Sequence, residues 1–376
     1  MVYAIISIGL LGFIVWSQLM AFIYCKINIV DFTVGWKDYT LLNTFYSLNV
    51  NNNIPSAGNS LLSVGLLRSG TIIYRGSSET LCESSFVIFR KTYKILYSKS
   101  FEESDNWLNW LVGFIEGDGA ILENKGSCRL IITQKDPKVL IEIHNKLGLG
   151  TVKNFNNYSR FLVTDNNSCL LLYLLLNGNL VLNHRKIQLS KWFTSLENAP
   201  RLKLKENFNL DEIPSILDNT IEPTLDNSWL SGFTDAEGCF SISIIKNRNN
   251  LNYVRARFIL DQKLEYNTLN LIAKLFNPEQ KSKGNQVKLR NETKEVFRMA
   301  INCNDINNPN STIIRNYFNR FQLKTSKQNS FSLWSKCLDL ILGKQPLSNV
   351  LEIRQISKTI NKFTIDNNPI GSSKFS

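Results

Sequence analysis

The sequence predicts an α+β fold built from two pseudo-symmetric αββαββα repeats, and three observations carry that expectation. WLVGFIEGDGAI at 110–121 and WLSGFTDAEGCFSI at 229–242 match at Trp, Leu, Gly, Phe, two acids and a closing Gly, with Gly113 and Gly232 119 residues apart. ITQKD at 132–136 is echoed by LDQKLE at 260–265, and NHRKIQLSKW at 183–192 by KTSKQNSFSLW at 324–334, all in the same order. Between these landmarks, short runs alternate apolar and polar residues as strands do.

Each element has its own signal. In the two opening motifs Gly113 and Gly117, and Gly232 and Ala236, are four apart, so on a helix they place small residues on one face and let two helices pack backbone to backbone. After the second motif, CFSISII sets Phe240, Ile242 and Ile244 against Ser241 and Ser243, and YVRARFIL sets Val254, Ala256 and Phe258 against Arg255 and Arg257. The Gln-Lys pairs lead into apolar helical stretches, VLIEIHNKLG and TLNLIAKLFN. GNQVKLR (284–290) and EVFRMAI (295–301) read as a second hairpin, with Val287 and Leu289 opposing Gln286, Lys288 and Arg290, and one helix closes each repeat. Gly119 to Gln134 spans 15 residues and Gly238 to Gln262 spans 24, which assigns a longer hairpin loop, KNRNNLN, to the second copy.

Composition narrows the function. The 376 residues carry 43 Lys plus Arg against 31 Asp plus Glu, a net charge of +12, which points to a polyanion or an anionic surface. Eight basic and seven acidic residues fall before Asn106, leaving 35 basic and 24 acidic over 106–376, so the polyanion should meet the repeats. Seven cysteines without a CxxC or a close pair read as reduced, mostly buried thiols rather than zinc ligands or a disulfide framework. Only His144 and His184 are present, so a metal must be held by carboxylates. One sheet face is apolar and the other Ser, Gln, Lys and Arg, which suits a major-groove reader. Ser241, Ser243, Arg255, Arg257, Gln286, Lys288 and Arg290 are therefore the DNA-binding candidates.

The motif acids supply the chemistry. Asp118 and Glu237 fall at the ends of the two packed helices, beside one another near the pseudo-twofold axis, where the helix dipole is negative. Two adjacent carboxylates are relieved by a divalent cation with oxygen ligands, Mg²⁺ or another, whose remaining shell is water and phosphate. Such an ion lowers the pKa of a water and stabilises the leaving oxygen of an in-line attack on phosphorus. Glu116 and Asp235, two residues earlier, point elsewhere and are assigned capping or salt-bridge roles.

LVGFIEGDG (111–119) and LSGFTDAEG (230–238) together resemble the paired signature of the LAGLIDADG homing endonucleases, over roughly residues 106–345. The resemblance implies a monomer with an internal pseudo-twofold, whose two antiparallel sheets form a saddle on DNA with the motif helices at the interface. It also implies staggered cleavage of both strands at a long, asymmetric site. Asp118 and Glu237 match the metal-binding acids; Gln134 and Gln262 match positions that organise the metal shell or its waters; Lys327 matches a basic residue near the scissile phosphates. In the first copy Arg185 and Lys186 compete for that last role, and Lys186 is taken as the catalytic candidate. The same family includes RNA maturases that assist splicing of their host intron, which is the alternative reading, with host intron RNA as the partner.

Outside the repeats, Val2 to Tyr24 lacks any charge and is apolar enough to begin a membrane helix, the one segment expected to contact a membrane. MVYAIISIGLLGFIVWS also resembles a transmembrane stretch of mitochondrial cytochrome oxidase subunit 1, but Gln18, Leu19 and Met20 stand where that family has His-His-Met. The resemblance implies an upstream exon read in frame into an intron, and with it a mitochondrial protein. NVNNNIPSAGNS at 49–60 reads as loop. The expected division is an exon-like membrane segment at 1–25, a poorly defined leader at 26–105, repeats at 106–205 and 227–345 joined by a linker at 206–226, and a tail at 346–376. Residues 1 to about 100 are expected to be removed by proteolysis, from the composition break and the oxidase-like start.

Overall fold

Ser104 opens the first motif helix by accepting from the backbone N–H of Trp107 at 3.2 Å, and Gly119 ends it by turning extended, at φ −77° and ψ 136°. The computed structural model describes residues 86–197, 213–219, 221–246, 252–277, 287–303, 309–342 and 350–361. They all lie in one compact unit. The oxidase-like segment, most of the leader and Gln286 fall outside the described residues.

After a leading helix α1 (Val87–Tyr97), the first repeat runs α2 (Asp105–Asp118), β1 (Gly119–Asn124), β2 (Ser127–Gln134), α3 (Lys138–Leu147), β3 (Thr151–Asn154), β4 (Ser159–Val163), α4 (Asn166–Leu176) and α5 (Asn183–Glu197). The second runs α6 (Trp229–Glu237), β5 (Gly238–Lys246), β6 (Asn252–Lys263), α7 (Tyr266–Phe276), β7 (Lys288–Asn291), β8 (Val296–Asn302), α8 (Asn310–Arg320) and α9 (Lys327–Leu342), followed by α10 (Val350–Thr359). Both sheets are antiparallel, ordered β1-β2-β4-β3 and β5-β6-β8-β7. Each repeat closes with two helices rather than the single one expected. The additional helix of the first repeat, α4, is the LLLYLLL run, apolar on every side and therefore buried on every side from Ser168 to Leu176. No helix among the described residues is long and apolar enough to cross a membrane.

The register explains the unequal spacing between the two copies. Gly119 faces Ile132 across β1 and β2, and Gly238 faces Leu260 across β5 and β6, so Gln134 and Gln262 each stand two residues past the partner of the motif glycine. The longer interval in the second copy goes into a longer hairpin, with strands of nine and twelve residues against six and eight.

The motif helices pack where glycine permits it. A Cβ on Gly113 would lie 2.0 Å from the Trp229 carbonyl oxygen, one on Gly232 would lie 1.8 Å from that of Trp110, and one on Gly117 would lie 2.2 Å from the Ala236 Cβ. On either side of this contact Trp110 stacks on Phe114 and Trp229 on Phe233, both at 5.0 Å between centroids.

Three expectations are corrected. Residues 87–97 are not leader: Phe89 and Tyr93, four apart on α1, are buried, and the Tyr93 hydroxyl donates to the Leu147 carbonyl at 3.0 Å. Residues 350–360 are not tail: Ile353, Ile356 and Ile360 are buried, and Ser330 Oγ donates to the Ile360 carbonyl at 2.5 Å. Leu289 is exposed rather than facing the core, because a register shift between Leu289 and Asn291 breaks the alternation of β7.

Candidate active site

Four acids converge on the junction of α2 and α6, and their burial divides them into two pairs. Glu116 and Asp235 are buried and fully engaged within the protein. Glu116 accepts from the backbone N–H groups of Val181 and Leu182 at 2.9 and 2.7 Å and, across the interface, from Trp229 Nε1 at 2.5 Å. Asp235 mirrors it, accepting from Lys324 N at 2.7 Å, from Thr325 N and Oγ1 at 3.0 and 2.5 Å, and from Trp110 Nε1 at 2.8 Å. Each acid thus ties the approach to its own repeat's last helix to the motif helix of the other repeat. Burial pushes Glu116 up to about 7 and raises Asp235, while these donors act in the opposite direction.

Asp118 and Glu237, the last residues of α2 and α6, are only half-buried. Burial raises Asp118, opposed by Lys327 and by Gln134, whose Nε2 donates to Asp118 Oδ2. Burial pushes Glu237 up to about 7, and the neighbouring Asp118 charge adds to it. Gln262 is buried at the register equivalent to Gln134 but makes no hydrogen bond to Glu237.

A cation caps each motif helix. Lys327 Nζ donates to the carbonyls of Thr234 and Ala236 at 3.1 and 2.6 Å. In the first repeat Arg185 takes this place, donating through Nε to the Glu116 carbonyl at 2.8 Å and through Nη2 to that of Gly117 at 3.1 Å. Lys186 instead turns to the connecting segment and donates to the Asn219 carbonyl at 2.7 Å. The signal that separates the two was in the sequence: Arg185 precedes buried Trp192 by seven residues, as Lys327 precedes buried Trp334. Desolvation lowers both Lys327 and Arg185, which the acids counteract. A cleft of about 560 Å³ opens beside Asp118 and Lys327, walled by Gln134, Asp136, Tyr158 and Lys324.

The donor set suits a hard divalent cation. Glu237 lies within reach of the Asp118 charge, and its Cγ lies 3.3 Å from where Gly117 would carry a Cβ. Among the described residues no three or more His, Cys, Asp or Glu side chains are grouped so that they could hold a metal ion by themselves. An ion held here would draw its other ligands from water and phosphate, as Mg²⁺ does. The five described cysteines are free, four of them buried and Cys239 half-buried.

On the second sheet Ser241 pairs with Arg257 and Ser243 with Arg255 on the outer face, opposite buried Phe240, Ala256 and Phe258. Lys288 is exposed on β7. Arg290 is committed within the protein, bonded to Asp261 Oδ2 at 2.5 Å, where Arg298 also binds through two nitrogens at 2.6 and 2.7 Å. Sequence reasoning missed Arg298 and the whole outer face of the first sheet, where Arg129, Thr133, Arg160 and Lys153 stand among Leu122, Ile131 and Leu162.

Two four-stranded sheets joined by a glycine-packed helix pair, each helix ending in a carboxylate and having its last carbonyls capped by a cation, define a two-repeat, pseudo-symmetric α+β class. Residues 230–338 match the family model described as LAGLIDADG endonuclease. The probable intron-encoded endonuclease 4 of Neurospora crassa is 35% identical over 275 residues, covering 70% of this chain and 46% of the relative; the chain thus spans less than half the length of that protein. The intron-encoded RNA maturase bI4 of Saccharomyces cerevisiae is 30% identical over 158 residues, 40% of this chain and 21% of the relative. The LAGLIDADG meganuclease I-CpaMI, solved bound to uncleaved DNA, shares the fold with a TM-score of 0.52 at 16% identity, over 68% of this chain and 99% of that one. The second repeat is thus similar to the LAGLIDADG endonuclease family, and the described fold is similar to that of a LAGLIDADG meganuclease.

Proposed function

We propose that the chain is an intron-encoded homing endonuclease that hydrolyses phosphodiester bonds in both strands of a long, asymmetric DNA site, using Mg²⁺ or another divalent cation. The observation that carries this reading is the pairing of Asp118 and Glu237 at the ends of two interlocked helices, each helix end capped by a cation, Arg185 or Lys327. Asp118 and Glu237 would hold the metal, which supplies an activated water and charge stabilisation at the leaving oxygen. Gln134 fixes the Asp118 carboxylate, and Gln262, at the equivalent register but not bonded to Glu237, is assigned to the waters of the metal shell. Lys327 keeps positive charge in the cleft where a phosphate would sit, Tyr158 and Lys324 form its wall, and Arg185 holds positive charge at the other helix end. The different outer faces of the two sheets support an asymmetric target: Ser on β5 and Arg on β6 of the second sheet, more aliphatic residues on the first. The mitochondrial location rests on the oxidase-like residues 1–17.

The test is cleavage of intronless oxidase-gene DNA by the full chain with Mg²⁺, beside Asp118→Asn and Glu237→Gln. Cutting by the parent alone supports the proposal; an inert parent refutes it. The likeness to a maturase favours a second reading, splicing assistance on the host intron RNA, in which case Asp118→Asn leaves splicing intact.

A further inference from the structure

Arg129 on β2 and Arg257 on β6 occupy one position in the two sheets. Arg129 stands three residues before Ile132, the partner of Gly119, and Arg257 three before Leu260, the partner of Gly238. Those glycines follow directly on the two packed motif helices, so the arginines leave their strands at matched distances from the pseudo-twofold axis. Cys128 and Leu130 on either side of Arg129 are buried, as are Ala256 and Phe258 around Arg257, which puts both arginines on the outer faces.

Neither guanidinium is used by the fold. In each, Nε is shut off from water and lacks a hydrogen-bond acceptor. The residues directly across the ladder are Leu122 for Arg129, and Ser241 and Asn302 for Arg257, none of which carries a charge. Arg257 also feels like charge from Arg255 and Arg298. By contrast Arg290 and Arg298 are satisfied by Asp261, and Arg160 lies over the Tyr158 and Phe155 rings at 5.0 and 5.7 Å. An arginine whose donors are unmatched within the protein requires acceptors from outside, and the planar fork fits the paired O6 and N7 of guanine in the major groove.

We propose that Arg129 and Arg257 each read a guanine, so that the otherwise asymmetric target carries guanines on opposite strands at equal distances from its centre. This rests on the DNA endonuclease reading above. The experiment selects duplexes from a random-sequence pool with the full chain in the absence of metal, then repeats the selection with Arg129→Lys and Arg257→Lys, which keep the charge and lose the fork. The expected result is a matched pair of guanines in the parent's sites. Each variant should lose discrimination at one of them by about tenfold to a hundredfold while keeping most of its overall affinity. Enriched sites without the matched guanines, or variants that weaken every sequence alike, overturn the assignment and leave the endonuclease reading standing. A parent that binds no duplex overturns both.

Discussion

Arg185 and Lys327 hold the same position in the two repeats: each comes from the first turn of a final helix and donates to the terminal carbonyls of its repeat's motif helix. These donors neutralise the negative helix ends on which Asp118 and Glu237 sit, and so place fixed positive charge where a phosphate would develop more negative charge. Lys327→Ala is expected to lower kcat for DNA cleavage by roughly a hundredfold, the scale for losing one preorganised charge-stabilising donor. Lys186→Ala should leave kcat unchanged and shift the unfolding midpoint by no more than the loss of one hydrogen bond, about 1 kcal/mol. Single-turnover cleavage with purified variants separates the two.

The two acid pairs should part company when neutralised. Glu116 accepts three hydrogen bonds in a buried site, and Glu116→Gln turns one acceptor oxygen into a donor facing donors. It is expected to cost about 1–3 kcal/mol of stability, with Asp235→Asn behaving alike. Asp118→Asn and Glu237→Gln should abolish cleavage without that loss. Denaturant unfolding read beside activity checks the split, and a destabilised Glu237→Gln of equal size would count against it.

Much of this arrangement was legible in the sequence because it repeats. The motif glycines, the terminal acids and the Gln-Lys pairs stand at fixed register from one another, and register is what a hairpin conserves when its loop lengthens. What escaped notice lacks a partner in the other copy or lacks alternation. RLIITQ on β2 offers aliphatic side chains to both faces, so the outer face of the first sheet gave no polar stripe. α1 and α10 sit outside the repeat, and nothing in the other half pointed to them.

Helix contact at the centre should be intolerant of a single methyl. Gly113→Ala would place a Cβ 2.0 Å from the Trp229 carbonyl oxygen, so the helices must separate and strain the Glu116–Trp229 and Asp235–Trp110 hydrogen bonds. A loss of about 3 kcal/mol is expected, at the upper end of ordinary overpacking. Gly232→Ala should match it, since its Cβ would meet the Trp110 carbonyl oxygen at 1.8 Å. Equal midpoints for parent and variants in urea would disprove the close approach.

Stability without metal should fall as the pH rises toward neutrality. Glu237 is pushed up from 4.5 to about 7 by burial and by Asp118, so the folded protein binds a proton that the unfolded chain has released. That contribution is fully present below about 4.5 and is lost as pH climbs through about 7. Thermal unfolding in a chelator should show the decline, and Glu237→Gln should show less of it. A divalent cation should reverse the trend by favouring the ionised pair. A stability that rises between pH 5 and 7 in the parent relative to Glu237→Gln would contradict the site electrostatics.

Where the amino-terminal boundary of the folded unit lies can be tested by truncation. Phe89, Tyr93 and Phe101 form one aromatic cluster with Trp107, with Phe89 and Phe101 at 5.0 Å and Tyr93 and Phe101 at 4.9 Å between ring centroids, and Phe86 is buried as well. Arg90 fastens α1 further, donating to the Phe101 and Glu103 carbonyls at 2.7 and 2.6 Å and pairing with Asp105 at 2.6 Å. A chain starting at residue 100 uncovers this cluster and leaves the Leu147 carbonyl without its donor, the Tyr93 hydroxyl. Losing three buried aromatic side chains, Phe86, Phe89 and Tyr93, costs about 3 kcal/mol or more. A chain starting at 80 keeps this cluster, so a chain starting at 100 should unfold at distinctly lower urea than one starting at 80. Any natural processing that leaves an active nuclease is then expected to cut ahead of Phe86, and the amino-terminal sequence of the mature protein reads that position directly.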